Sequence, residues 1–190
     1  MGKHIAPPSA IRWMNHVEYD IVTAVFRSTI PYRWRILISN AAGKDGRPFT
    51  IPTSLISTIL GIAPDLFLAP AVMAGLAGGY LASIVNLGYI INAGDEYATL
   101  SGAGARTLVH ETAHVWQGKN SRFALTYVFN SLINQGLHGS GAYAYRPLKP
   151  GHDYNAEAQA KLVEDWWASG SPASGDLYPY ITDYVRKGDA

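Results

Sequence analysis

The sequence predicts an α+β domain, predominantly helical with a small sheet. Three observations predict it. A chain of 190 residues, 48% of them hydrophobic, is long enough and apolar enough to bury one sizeable core. Apolar residues recur at helical spacing, as in Ile11, Met14, Val17, Ile21 and Val25. Short runs rich in Ile and aromatic residues, at 33–39 and 88–92, stand apart from these as strands.

Taken in order, Ser9 fits as the cap of a helix reaching about residue 27, and Pro31 ends that region. A strand at 33–39 is followed by a loop carrying Gly43, Asp45, Gly46 and Pro48. Residues 89–100 read as a strand or hairpin turning at Gly94-Asp95, and 92–99 as an edge strand able to pair with an extended peptide. A helix opens after 101–104 and runs through His110 and Trp116 to Gly118, where a glycine cap fits. Further helices are expected at 122–134 and 154–168, with a Gly/Pro/Tyr-rich loop at 136–151 between them and a short element near 180–185. There is no internal repeat and no boundary signal, so 1–190 reads as a single domain.

Between Asp65 and Asp95 no side chain is charged. Residues 66–91 are long enough to span a bilayer, and Gly75 and Gly79 form a GxxxG spacing. Pro70 and Asn86 interrupt the run, which favours one or two helices buried in the domain. The competing reading is membrane contact through 66–91.

Charge and composition exclude several classes. Lys plus Arg total 15 and Asp plus Glu total 14, so no basic footprint for nucleic acid exists. The absence of cysteine excludes disulfides, thiol catalysis and thiolate metal sites. Any metal must therefore be held by His and carboxylates. No apolar run follows Lys3, so the expectation for a secreted protein is a route independent of a signal peptide.

The chemistry lies in His110-Glu111-Thr112-Ala113-His114, an H-E-x-x-H string. On a helix, residues four apart share a face, so both imidazoles can bind one Zn²⁺ ion. Glu111 then stands beside that ion as the catalytic base. Leu108, Thr112, Val115 and Trp116 fall on the opposite, core-facing side. Gln117 and Asn120 stand where a metzincin needs Gly and His, so a third ligand must come from elsewhere. His138, His152, Asp153, Glu157, Glu164 and Asp165 are the downstream candidates, with Glu157 favoured as part of a His-His-Glu set. The plainer reading is that Glu157, Lys161 and Glu164 form a solvated helix face, with Glu157 and Lys161 an ordinary ion pair one turn apart. Tyr145 is the first choice to stabilise charge on the attacked carbonyl, because the Tyr143-Ala144-Tyr145 loop lies between the two ligand segments.

Taken together, His110-Glu111-Thr112-Ala113-His114-Val115-Trp116-Gln117 and Tyr154-Asn155-Ala156-Glu157-Ala158-Gln159-Ala160 resemble the motifs of bacterial gluzincin-like zinc metallopeptidases. These include the effector domains at the C-terminus of type VI secretion VgrG spike proteins. The resemblance implies a zincin-like fold, Glu157 as the third zinc ligand, and an antibacterial toxin acting on a peptide or protein substrate in a rival's periplasm. It also implies a cognate immunity protein and a secretion spike protein as partners. It covers most of the chain except about 54–87, which looks like an apolar insertion. Lys161, four residues after Glu157, departs from the thermolysin-like E-x-x-x-D pattern and leaves the partner of the first histidine open. The rival readings are a zinc amidase acting on peptidoglycan, a membrane-active toxin with a structural metal, and an inactive zinc-binding domain.

Overall fold

The computed structural model of the chain describes residues 9–43, 46–53, 88–121 and 154–190. The expected apolar insertion at 54–87, the expected helix at 122–134, and His138, Tyr143, Tyr145, His152 and Asp153 lie outside the described residues. Among the described residues the fold is α+β, with four strands and four α-helices. These are β1 (Ile11–Trp13), α1 (His16–Phe26), β2 (Ile36–Ser39), β3 (Phe49–Pro52), β4 (Tyr89–Asn92), α2 (Ala105–Asn120), α3 (Ala156–Ala168) and α4 (Tyr178–Asp183). The chain divides into two compact units, one of 1–19 with 32–107 and one of 20–31 with 108–190. No described helix is long and apolar enough to cross a membrane.

The first unit holds a mixed sheet in the order β1-β2-β4-β3. β2 and β4 run parallel, while β1 and β3 pair antiparallel on the outside. Side chains alternate between the faces of a strand, so cross-strand partners share a face. Leu37, Ile90 and Ile51 lie side by side this way and form a buried cluster with Phe49 packed against it. Ile36, Ile38 and Ile91 are fully buried on the other face. Burial on both faces explains why β2 is apolar at three successive positions, Ile36, Leu37 and Ile38.

Two sequence expectations change here. Residues 11–13 form an edge strand, and the helix begins at His16. The reason is a capping box inside the segment. Asn15 Oδ1 accepts from the Glu18 backbone N–H at 2.9 Å, and Glu18 Oε2 accepts from the Asn15 N–H at 2.9 Å. Glu18 is buried and also receives the Arg12 guanidinium at 2.7 Å. The expected edge strand at 92–99 is replaced by the inner strand β4 and a 3-10 turn at Gly94–Glu96. Gly94 has φ +55 there, a left-handed conformation that ends extended pairing.

β3 and β4 are antiparallel neighbours separated in sequence by residues 54–87. Their bases are tied together: Thr53 N–H donates to Gly88 O at 2.9 Å, and Gly88 N–H donates to Thr53 Oγ1 at 3.1 Å. Gly88 also passes close to β2, since a Cβ at that position would lie 2.1 Å from Arg35 O. That contact is with backbone and cannot rotate away. Gly88→Ala is therefore expected to destabilise the protein by about 3 kcal/mol, by forcing β2 and β4 apart. Chemical denaturation of the purified variant checks this.

In the second unit Trp116, Trp166, Leu162 and Ile181 are almost fully buried. α2 runs past Gly118, which lies inside it, and near its end the Asn120 side-chain amide donates to the Trp116 carbonyl at 2.7 Å. A 3-10 turn, Val185–Lys187, follows α4. Val185 O accepts from Trp116 Nε1 at 3.0 Å and from Thr29 Oγ1 at 2.9 Å. Gly188 ends the turn at φ +72, and a Cβ there would stand 2.8 Å from Asn120 Oδ1. Gly188→Ala combines a left-handed backbone with that clash, so a loss of about 1–2 kcal/mol is expected. Thermal unfolding should show a lower midpoint with the near-UV spectrum unchanged.

Candidate metal centre

Both helices that carry the site are in the second unit over the relevant residues. On α2, Leu108, Thr112, Ala113, Val115 and Trp116 are fully buried, which anchors one side of the helix. His110 and His114 keep a side-chain exposure of 12% and 10%, so the other side opens slightly. Their ring centroids are 5.1 Å apart, as one helical turn dictates. α3 begins at a defined point because Asn155 caps it, its side chain accepting from the Ala158 N–H at 2.8 Å. That cap places Glu157 in the first turn, where the helix dipole favours a carboxylate.

Glu157 is only 1% exposed and faces both imidazoles. His110 Nε2 lies 3.4 Å from Glu157 Oε2, and His114 Nε2 lies 3.4 Å from Glu157 Oε1. The plainer reading of a solvated Glu157–Lys161 pair is thus replaced. His110, His114 and Glu157 together form a cluster able to hold a metal ion.

The outer nitrogens are also engaged. His110 Nδ1 donates to Glu164 Oε2 at 2.8 Å. Lys161 Nζ holds Glu164 Oε1 at 3.2 Å and Asp165 Oδ1 at 2.6 Å. Lys161, the departure from the E-x-x-x-D pattern, is therefore a clamp on the carboxylate that orients His110. His114 Nδ1 meets Gln117 Oε1 at 2.8 Å. Gln117 Nε2 donates to Ala156 O at 3.0 Å and to Gln159 Oε1 at 2.9 Å. With its amide nitrogen committed to two acceptors, Gln117 must present oxygen to the ring, so His114 Nδ1 carries the proton. In the neutral form of each ring, the lone pair then sits on Nε2 and points at Glu157.

Electrostatics agree. Burial pushes the His110 imidazole down, but Glu157, Glu164 and the charge of Glu111 outweigh it and raise its pKa to about 10. Burial likewise opposes charge on His114, and Glu157 and Glu111 overcome it, so its pKa is also raised. The site attracts positive charge, which protons supply in the metal-free chain.

The donor set fits a divalent cation. A buried carboxylate is costly unless a cation or several hydrogen bonds compensate it. His114 Nε2 is buried and has no hydrogen-bond partner among the described residues. Two donors at about 2.0–2.1 Å from one tetrahedral ion are about 3.4 Å apart, which matches both His–Glu157 separations. Two imidazoles and one carboxylate are also a catalytic-type set, with one position left for water.

Sequence reasoning brings His110, His114 and Glu157 together, with buried Glu111 close enough to raise both imidazoles. It places Glu164 and Asp165 among candidate ligands, whereas they hold His110 and Lys161 respectively. Tyr145, His138, His152 and Asp153 are outside the described residues. The roles of Gln117, Gln159 and Glu164 were missed. The usable signal was spacing: Glu164 follows Glu157 by two turns, and Gln117 follows His114 by three residues. Compared with known proteins, the chain matches no family model, no curated protein and no solved structure.

Proposed function

We propose that this protein is a zinc-dependent hydrolase of the gluzincin type, with a zincin-like fold, acting on peptide bonds. The observation that carries the proposal is the convergence of His110, His114 and Glu157, with Glu111 next in sequence to the first ligand. Zinc, when bound, supplies a Lewis acid that polarises the carbonyl and lowers the pKa of water. His110, His114 and Glu157 would hold it, the two imidazoles through Nε2, each ring fixed from behind by a hydrogen bond at Nδ1. Glu111 takes the proton of the attacking water and returns it to the leaving nitrogen. Its burial keeps bulk water from competing for that proton. Tyr145 is the residue the sequence offers to stabilise charge on the carbonyl oxygen.

The motif resemblance extends the proposal to an antibacterial effector with a cognate immunity protein, delivered to a target periplasm by a secretion spike. The test is metal analysis of the purified chain, followed by turnover on a protein panel and on peptidoglycan. About one zinc per chain with cleavage of protein supports the proposal. Release of stem peptides from peptidoglycan alone moves the activity to an amidase. Absence of bound metal after zinc loading overturns the reading of the site.

A further inference from the structure

We infer that Gln117 is a positioning residue that sets His114 for the metal and ties it to the turn of α3 bearing Glu157. This inference rests on the reading of His110, His114 and Glu157 as a metal centre.

Gln117 is fully buried, although it is a polar side chain with no direct place in the ligand set. Burying an amide is costly unless all its polar atoms are used. Here they are used across two helices. Its oxygen accepts from His114 Nδ1 at 2.8 Å. Its nitrogen donates to Ala156 O at 3.0 Å, the carbonyl immediately before Glu157, and to Gln159 Oε1 at 2.9 Å. One planar amide therefore fixes both the rotation of the His114 ring and the distance from α2 to the start of α3.

The two metal-facing contacts depend on that arrangement. His114 Nε2 reaches Glu157 only if the ring presents Nδ1 to Gln117. Glu157 reaches His114 only if the first turn of α3 is held where Ala156 O meets Gln117. His110 has a different support, the Glu164 carboxylate clamped by Lys161. The second histidine thus has a neutral amide behind it, where the first has a charged carboxylate. A neutral support orients the ring without adding negative charge to the centre.

The experiment compares the full chain with its Gln117→Met variant, which keeps the volume but removes both hydrogen-bonding functions. Zinc affinity by chelator competition is expected to fall about 10–100-fold, the usual effect of losing an outer partner of a metal-binding histidine. The visible spectrum of the cobalt-loaded protein is expected to change, because His114 and Glu157 lose their fixed angle. Zinc affinity within about twofold of the unmodified chain, with an unchanged cobalt spectrum, overturns the inference and leaves the metal centre intact. Failure of the unmodified chain to bind zinc overturns the reading beneath it instead. A second measurement needs no variant. In the zinc-loaded chain, nuclear magnetic resonance should show a slowly exchanging proton on His114 Nδ1. A rapidly exchanging or absent proton there overturns the inference even if Gln117→Met does not fold.

Discussion

Glu111→Gln is expected to bind zinc as tightly as the unmodified chain and to lose hydrolysis by about 10²–10⁴-fold. The substitution keeps the shape of a buried side chain that is 4% exposed, so the fold should tolerate it. What disappears is a carboxylate able to accept and return a proton. The loss corresponds to about 3–5 kcal/mol of transition-state stabilisation. It should fall on kcat, since Glu111 is not one of the three groups facing the ion. Metal content and steady-state turnover measured on the same preparation check both halves. Expression in a bacterial periplasm adds a biological readout: a toxin that kills by hydrolysis becomes harmless with Glu111→Gln. Undiminished killing by a zinc-loaded variant would assign toxicity to another part of the chain, as the membrane-active reading requires.

Glu157→Ala is expected to abolish tight zinc binding. Structural zinc sites are worth roughly 10–16 kcal/mol, so one ligand of three contributes about 3–5 kcal/mol if the share is even. That is about 10²–10⁴-fold in dissociation constant. The variant should also behave differently from the unmodified chain when both are metal-free. His110 has its pKa raised above the ordinary 6.5 to about 10, against the effect of burial, through Glu157, Glu164 and Glu111. A raised histidine contributes stability that is fully present below about pH 6.5 and is lost as pH rises through about 10. Removing Glu157 removes the leading partner, so metal-free Glu157→Ala should be less stable than the metal-free parent near pH 6. The gap should narrow toward pH 10. Denaturant melts across that range, with chelator present, test the sign. Equal zinc affinity in the variant would move the third ligand away from α3.

The His110–His114 pair was legible because it depends on helix periodicity and little else, whereas spacing left Glu157 among several downstream candidates and the motif resemblance pointed to it. His110 and His114 are one turn apart on α2, while the Asn155 cap that sets the start of α3 at Ala156 emerges from the structure. The outer contacts were harder to read because they depend on which neighbour a side chain meets, not on its spacing alone. Lys161 illustrates this: it looked like a partner for Glu157, but Glu157 turns inward and Lys161 binds Glu164 and Asp165 instead. The N-terminal segment failed for a different reason. Ile11, Met14 and Val17 fit a helical repeat, yet β1 pairs with β2 and the Asn15–Glu18 box starts the helix later. A pairing partner more than twenty residues away outweighs local periodicity. At 92–99 the strand stops at Asn92 and a 3-10 turn follows at Gly94–Glu96, while β3 and β2 already flank β4, so no free edge is offered there.

The joint at Thr53 and Gly88 has an evolutionary consequence. Two antiparallel strands fastened at one end take their register from that joint, whatever length of chain runs between them. The joint is a natural splice point, at which sequence of very different length and polarity can be exchanged without shifting the alignment of β3 on β4. Variation among descendants of this chain should therefore concentrate between those two residues. Gly88 itself should resist replacement, hemmed in by the carbonyl of Arg35.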